Sequence, residues 1–222
     1  MNMFEPYLSK EIEYNLNKVI QSTYLGEGEV VEEFEAELTK VLGFNNPVAV
    51  NSGTSALHMA LELSGVSHGD EVIIPAQTFV ATGLSVLMSR AKPVFADIDL
   101  NTGNISPSSV LEKITTRTKA IIAVHWGGYP CDMDALSEIC KKHHIVLIED
   151  AAHAVGAVYK GELIGTISDF TAFSFQSIKH LTTGDGGALC CKLDKHYHQA
   201  KKMRWFGIDR ASKINTIGER VY

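Results

Sequence analysis

The chain has 222 residues, of which 45% are hydrophobic and 21% charged, a composition typical of a soluble globular protein with a substantial core. Its formal net charge is -6 and it has no notable block of lysine and arginine, which argues against a nucleic-acid surface and favours a small-molecule partner. No apolar run reaches the roughly 18 residues of a membrane span, and the N-terminus has no basic segment followed by an apolar one. We therefore expect a cytoplasmic protein without a membrane partner.

Helices and strands are predicted to alternate along most of the chain. An amphipathic pattern predicts a helix over 29–42 that ends at Gly43. The strands predicted after it are 47–50, 71–74, 93–95, 120–124 and 145–148, and the helices between them are 54–64, 79–89, 107–114 and 132–143. Shorter β segments are predicted at 157–159, 170–175 and 188–191, and an amphipathic segment at 194–206.

The predicted strands are near-continuous apolar runs, which is typical of a parallel sheet that helices cover on both faces. We therefore predict an α/β fold with three layers (αβα) and a mostly parallel sheet. The predicted division is an N-terminal helical arm over 1–28 and one large domain over 29–222.

Cysteine and histidine spacing does not indicate a metal site. The four cysteines lack Cys-x-x-Cys spacing, so we expect neither zinc nor disulfides but buried free thiols in a reducing compartment. The histidine pairs, His143-His144 and His196-x-His198, occupy positions that face different ways along an element, so no metal ion is expected.

A lysine lies in a glycine-rich loop between two of the short β segments. Lys179 follows 170–175 and precedes Thr182-Thr-Gly-Asp-Gly-Gly187, while Asp150 follows the strand 145–148. Pyridoxal phosphate (PLP) chemistry requires a lysine amine for a Schiff base and a carboxylate that keeps the pyridine nitrogen protonated. Each residue alone is more commonly a solvated side chain at a strand end, so the interpretation depends on the pair.

Further candidates follow other predicted strands, at the edge where ligands of such sheets bind. Thr54 and Ser55 open a helix whose free N–H groups suit a phosphate, and Ser174 could add a hydroxyl to the same anion. Phe79 could lie over a planar ring, and His153 could touch the ring substituents. The alternatives are a helix cap for the first pair, a core position for the phenylalanine and backbone hydrogen bonding for the serine.

Segments spaced through nearly the whole chain form a specific set. They are Gly26-Glu-Gly28 with Phe34-Glu35, Asn51-Ser-Gly-Thr-Ser-Ala-Leu57, Gly69-Asp-Glu-Val-Ile73 with Pro75, Asp97-Ile-Asp99, Arg117-Thr-Lys119 with Val124-His125, Glu149-Asp-Ala-Ala-His153 with Gly156, and the lysine loop. In this order they resemble the DegT/DnrJ/EryC1/StrS family of PLP-dependent nucleotide-sugar aminotransferases, which have the aspartate-aminotransferase fold (PLP fold type I).

The resemblance implies a role for each candidate around the cofactor. It implies that the backbone of Thr54 and Ser55, with the Ser174 hydroxyl, holds the phosphate. Phe79 would stack on the ring, and His153, where many members carry glutamine, would lie near the ring hydroxyl.

The resemblance also implies the chemistry and the substrates. Asp150 would pair with the pyridine nitrogen, and Lys179 would hold PLP as a Schiff base and move protons during transfer. The amino donor would be an amino acid, typically glutamate, the acceptor a keto sugar attached to a nucleotide diphosphate, and the protein a homodimer. A branch of the family dehydrates its sugar and has histidine at the lysine position; because Lys179 occupies that position and His180 follows it, we favour transamination.

Family members are longer, so we expect this chain to end near the end of the large domain, without the small C-terminal domain. The alternative is a truncated, non-catalytic relic, against which the intact Lys179, Asp150 and Ser174 argue. A Rossmann dehydrogenase is disfavoured, because no Gly-x-Gly-x-x-Gly follows the first strand.

Overall fold

The computed structural model describes residues 6–209. The predicted N-terminal arm contains helix α1 (Ile12–Gln21), which buries none of its side chains. Residues 1–5 of that arm and residues 210–222 of the predicted large domain lie outside the described part. The division of the chain after residue 28 therefore stays a prediction.

Further helices alternate with strands along the rest of the described chain. They are α2 (Glu29–Leu42), α3 (Gly53–Leu63), α4 (Val80–Met88), α5 (Pro107–Lys113), α6 (Met133–His143) and α7 (Asp194–Arg204), with a short 3-10 helix over Trp126–Gly128. The strands are β1 (Pro47–Val50), β2 (Glu71–Pro75), β3 (Lys92–Ala96), β4 (Thr118–Val124), β5 (Val146–Asp150), β6 (Val158–Tyr159), β7 (Glu162–Leu163), β8 (Phe170–Ser174) and β9 (Gly187–Cys191).

Seven strands form one sheet in the order β1-β9-β8-β5-β4-β2-β3, and β6 and β7 form a separate hairpin. Strand β9 is antiparallel to both of its neighbours, β1 and β8, whereas every other pair in the large sheet is parallel. Six strands therefore run in one direction, and their carboxyl ends meet at one edge. The predicted α/β fold with a mostly parallel sheet is confirmed.

The sheet is buried on both faces because alternate residues of its strands enter different apolar clusters. In β2, Val72 and Ile74 pack in a cluster with Val86 of α4, whereas Ile73 packs in another cluster with Leu136 of α6. Helices on both faces cover these clusters, which confirms the three-layer arrangement and explains the uninterrupted apolar runs of the strands.

Predicted and observed elements differ mainly at their ends, and one such difference concerns the site. Asp150, predicted to follow its strand, is the last residue of β5, where it pairs with Val124 of β4 and Ala172 of β8. Its backbone is therefore held in the sheet and not in a loop, which fixes the base of its side chain.

The four cysteines are buried free thiols, as predicted. Burial raises the pKa of Cys131 to about 12. No helix within residues 6–209 is long and apolar enough to cross a bilayer. The same residues contain no group of three or more histidine, cysteine and carboxylate side chains arranged to hold a metal ion.

Candidate active site

A cavity of about 530 Å³ lies at the edge where the carboxyl ends of the parallel strands meet. Segments that follow β1, β2, β4, β5 and β8 line it, which is where α/β sheets bind ligands. The predicted site residues on its wall are Thr54, Phe79, Asp150, His153, Ser174 and Lys179. The fold therefore gathers candidates that are far apart in the sequence.

The start of α3 forms a cradle beside Ser174. The Oγ of Ser52 caps this helix by accepting a hydrogen bond from the N–H of Ser55 at 3.1 Å. The first-turn N–H groups of Gly53 and Thr54 have no acceptor inside the helix. A Cβ on Gly53 would lie 3.0 Å from the Cβ of Ser174, so the helix start approaches that serine closely. A positive helix end beside a hydroxyl suits a phosphate group.

Gly187 makes this close approach possible. It pairs in register with Val50 at the end of β1 and with Ser174 at the end of β8. A Cβ there would lie 2.6 Å from the carbonyl oxygen of Phe173 and 2.7 Å from the nitrogen of Gly53. Any side chain at this position would push apart the helix start and the strand end that form the cradle.

Ser55 is the predicted site residue that does not line the cavity. Its N–H donates to the Oγ of Ser52, and its own hydroxyl lies 3.0 Å from the same oxygen. Ser55 therefore stabilises the helix start. A direct contact between its backbone and a phosphate stays a prediction.

Asp150 presents a nearly buried carboxylate, 7% exposed, to the cavity. Its Oδ2 accepts a hydrogen bond from the hydroxyl of Thr82 at 2.8 Å, and its Oδ1 accepts one from the N–H of Ala152 at 3.3 Å. These two donors come from different elements, α4 and the turn after β5. They fix the orientation of the carboxylate at the cavity wall.

Lys179 lies in the loop between β8 and β9, in a turn where its N–H donates to the carbonyl of Gln176 at 2.8 Å. Its half-buried side chain lines the cavity. Burial lowers the pKa of Lys179, and the charge of Asp150 opposes part of that lowering. A lowered pKa increases the fraction of uncharged amine, the form that attacks a carbonyl carbon.

His153 forms part of the cavity wall after β5. Its ring meets that of Trp126 edge-on, with the ring centroids 6.2 Å apart. Burial lowers the pKa of His153, and the positive charge of Lys179 lowers it further. The imidazole is therefore suited to act as a neutral hydrogen-bonding group at neutral pH.

Phe79 lines the cavity and is 70% exposed, so the alternative of a core position is wrong. It is the residue immediately before α4, in extended backbone conformation. A large apolar ring left uncovered at a cavity mouth is suited to pack against a flat ligand.

Three residues of the site were missed in the sequence analysis. Thr82 contacts Asp150, Thr78 contacts Thr82, and Trp126 lines the cavity beside His153. A signal was present for the two threonines: they are four residues apart around a predicted helix start, and such spacing places side chains on one helix face. Trp126 follows strand β4, and residues just after parallel strands are candidates for ligand contact because ligands bind at that edge of the sheet.

A second polar group is buried behind the cavity around Glu149, on the opposite face of β5 from Asp150. Its Oε1 accepts hydrogen bonds from the hydroxyls of Ser168 at 2.6 Å and Thr171 at 2.9 Å. Burial by itself would raise the pKa of Glu149, but the hydrogen bonds from His125 and the two hydroxyls outweigh it and lower the pKa.

Comparisons with known proteins agree with this geometry. The sequence profile of the DegT/DnrJ/EryC1/StrS aminotransferase family matches residues 6–221. The chain is 41% identical over 215 residues to the spore coat polysaccharide biosynthesis protein SpsC of Bacillus subtilis, covering 95% of this chain and 55% of that protein. It is 40% identical over 187 residues to GDP-perosamine synthase of Escherichia coli O157:H7, covering 83% of this chain and 51% of that protein.

Among solved structures, the fold is similar to the PMP form of a putative sugar aminotransferase, Spr1654, from Streptococcus pneumoniae. The TM-score is 0.90 at 29% sequence identity, and the match covers 95% of this chain and 59% of that chain. The chain thus spans about half the length of the curated relatives it matches. The matched residues include the helix start, the carboxylate and the lysine that form the cavity, and we conclude that the chain belongs to the DegT/DnrJ/EryC1/StrS aminotransferase family.

Proposed function

We propose that this chain forms the PLP-binding part of an enzyme that transfers an amino group from an amino acid to the keto group of a nucleotide-linked sugar. The observation that supports it most is the joint presence of Lys179 and Asp150 on one cavity that also contains an anion cradle. A PLP site needs a lysine amine, a carboxylate and a phosphate site together, and this cavity has all three.

The residues present fit the cofactor. The start of α3 and the Ser174 hydroxyl would hold the phosphate, because glycines at 53 and 187 leave the cradle open to it. Asp150 would accept a hydrogen bond from the protonated pyridine nitrogen, Phe79 would pack on the ring, and His153 would lie near the ring hydroxyl. PLP bound there would supply an electron sink that stabilises negative charge on the α-carbon of the donor.

Lys179 has two roles in this proposal. It would hold the cofactor covalently, and its amine, when free, would move a proton from the α-carbon of the donor to the carbon of the cofactor that takes up the amino group. The lowered pKa of Lys179 supports both roles, because the uncharged amine is the form that adds to a carbonyl and that accepts a proton.

Transamination is favoured over the dehydration known in a branch of the family. Lys179 lines the cavity, whereas His180 is exposed and does not line it. This difference supports the assignment of Lys179 to the position at which a histidine would indicate a dehydratase. The intact cradle, carboxylate and lysine also argue against a non-catalytic relic.

The substrate class is inferred from relatives and belongs to the whole protein. One relative is named for the synthesis of GDP-perosamine and another for spore coat polysaccharide, which supports a nucleotide-linked keto sugar and a role in polysaccharide biosynthesis. Glutamate is the proposed donor. The buried free thiols fit a cytoplasmic location.

We also propose a homodimer. Apolar side chains lie exposed along α4 and the adjacent edge strand β3: Val80, Leu84, Leu87, Met88 and Phe95 are 45–60% exposed. A second copy that covers this patch would place its own residues beside Phe79 and the cavity mouth. Light scattering over a range of protein concentrations measures the oligomeric state. We expect the wild type to be a dimer and Leu87→Glu to be a monomer. A wild type that is monomeric at every concentration would contradict the proposal.

Amino transfer is tested directly with isotopically labelled glutamate. The whole protein that contains this chain, loaded with PLP, is expected to convert one equivalent of 15N-glutamate to 2-oxoglutarate and to pass the 15N to a nucleotide-linked keto sugar, read by mass spectrometry. Lys179→Arg is expected to abolish both steps, while His180→Asn leaves both unchanged. Product formation that survives Lys179→Arg contradicts the proposal.

A further inference from the structure

A fully buried hydroxyl that does not line the cavity contacts the carboxylate of the site. Thr82 lies in the first turn of α4, has no exposed surface, and donates to the Oδ2 of Asp150 at 2.8 Å. This hydrogen bond is shorter than the one from the N–H of Ala152, which lies 3.3 Å from Oδ1. Hydrogen bonds to an ionised acceptor are stronger than neutral ones.

The hydroxyl of Thr82 also contacts a second hydroxyl, that of Thr78. The hydroxyls of Thr82 and Thr78 lie 2.7 Å apart, and either could donate to the other on distance alone. A carboxylate only accepts, so the single hydroxyl hydrogen of Thr82 is used on Asp150. Thr78 must then donate to the oxygen of Thr82. Consecutive hydrogen bonds in one direction polarise and strengthen one another in a low-dielectric interior.

This chain of hydrogen bonds connects two walls of the cavity. Thr78 lines the cavity on the segment that follows β2, and Phe79 comes next in sequence, immediately before α4. Asp150 lies at the end of β5 on another part of the wall. The threonines therefore tie the position of the carboxylate to the segment that carries the exposed aromatic ring.

We propose that Thr82 is a positioning residue that aims the Asp150 carboxylate at the pyridine nitrogen of the cofactor, with Thr78 holding the Thr82 hydroxyl in its donating orientation. The inference rests on the proposed function, because it assigns the carboxylate to the cofactor ring. It assigns Thr82 no contact with substrate or cofactor.

Equilibrium binding of two ligands tests this: PLP, and the PLP analogue in which C–H replaces the ring nitrogen. The variants are Thr82→Val, which keeps the shape and removes the hydroxyl, and Thr82→Ser, which restores the hydroxyl. Ser89→Ala is the matched control, because Ser89 is buried at the end of the same helix and its hydroxyl has no hydrogen-bond partner within the described chain. Thermal unfolding of each variant reports on folding.

We expect Thr82→Val to weaken PLP binding about tenfold, the scale of one hydrogen bond to a charged group, and to leave binding of the analogue unchanged. Thr82→Ser and Ser89→Ala should bind both ligands as the wild type does. Thr78→Val should weaken PLP binding in the same direction by a smaller factor, and it serves as the test if Thr82→Val fails to fold.

Two results overturn the inference in different ways. If Thr82→Val and Thr78→Val weaken the binding of PLP and of the analogue equally, the hydroxyls do not act through the ring nitrogen. The same conclusion follows if these variants weaken the binding of neither ligand. Failure of the wild-type chain to bind PLP through Lys179 overturns the proposed function, and this inference with it.

Discussion

His125 and Glu149 form a hydrogen bond of 2.9 Å between Nε2 and Oε2 at a place where neither side chain is exposed. The Nδ1 of the same ring accepts the N–H of Cys131 at 3.1 Å, so the hydrogen on Nε2 is the one donated to Glu149. The pair joins the residue after β4 to the residue before Asp150. It thereby fixes both the strand end that carries the carboxylate and the turn that carries Trp126.

Removing the carboxylate of this pair is expected to destabilise the fold strongly. Glu149→Ala removes the acceptor of the Nε2 hydrogen of His125 and of the Thr171 hydroxyl, and such losses in a buried pair cost about 3 kcal/mol or more. Urea unfolding followed by circular dichroism measures the change. Glu138→Ala, on the exposed face of α6, is the control and should shift the free energy of unfolding by less than about 0.5 kcal/mol. Equal effects of the two variants would show that the buried pair contributes nothing specific.

The dependence of stability on acid pH is expected to report on Glu71. Glu71 is buried, and hydrogen bonds from Thr115 and Arg117 lower the pKa of its carboxyl from the ordinary 4.5 to about 2. A carboxyl whose pKa is lower in the folded state contributes stability above its unfolded pKa and loses it as the pH falls towards the folded value. The stabilisation should therefore be complete above pH 4.5 and decline between pH 4.5 and about 2.

Urea unfolding of the wild type and Glu71→Gln over this pH range tests the expectation. The difference in unfolding free energy between them should be largest above pH 4.5 and shrink as the pH falls. Glu112→Gln, at an exposed position on α5, should follow the wild type at every pH. A constant difference between wild type and Glu71→Gln would contradict the assignment.

A methyl group at position 187 is expected to disrupt the anion cradle by displacing its two walls. Gly187→Ala would place a Cβ 2.6 Å from the Phe173 carbonyl, an overlap that costs about 1–3 kcal/mol and separates the α3 start from Ser174. The matched control is Gly83→Ala within α4, where the nearest atom would lie at an ordinary 3.7 Å. That change should be stabilising by about 0.5–1 kcal/mol, because alanine favours helix over glycine. Thermal unfolding and PLP titration of both variants distinguish these outcomes.

Ser174 is expected to contribute directly to phosphate affinity. Ser174→Ala removes the hydroxyl beside the helix start and should weaken PLP binding about tenfold, without affecting the thermal unfolding temperature by more than a few degrees. Ser177→Ala removes an exposed hydroxyl from the following loop and should bind PLP as the wild type does. If Ser174→Ala and Ser177→Ala bind PLP with the same affinity, the Ser174 hydroxyl does not bind the phosphate.

Much of the fold follows from local sequence patterns, because strands buried on both faces are uninterrupted apolar runs and each helix has its own periodicity. The position of Lys179 and Asp150 on one cavity also follows, since both come at the ends of parallel strands. The reversed direction of β9 does not follow from its apolar residues, because pairing direction depends on how the chain returns to the sheet.

The residues that sequence reasoning missed depend on contacts between elements. In the sequence Thr82 is one of two hydroxyl residues in an otherwise apolar helix, and its role depends on the packing of α4 against the end of β5. The position of Ser55 is the converse case. Its residue type suits a phosphate, but its N–H and hydroxyl contact the neighbouring Ser52, a choice that only local geometry decides.

Covalent trapping of the cofactor tests whether Lys179 forms the Schiff base. PLP is added to the purified chain, the absorbance of the bound cofactor is recorded, the adduct is reduced with borohydride, and the modified peptide is identified by mass spectrometry. We predict one label per chain, on Lys179, and its loss in Lys179→Arg. A label that stays with Lys179→Arg, or that falls on other lysines, would contradict the account.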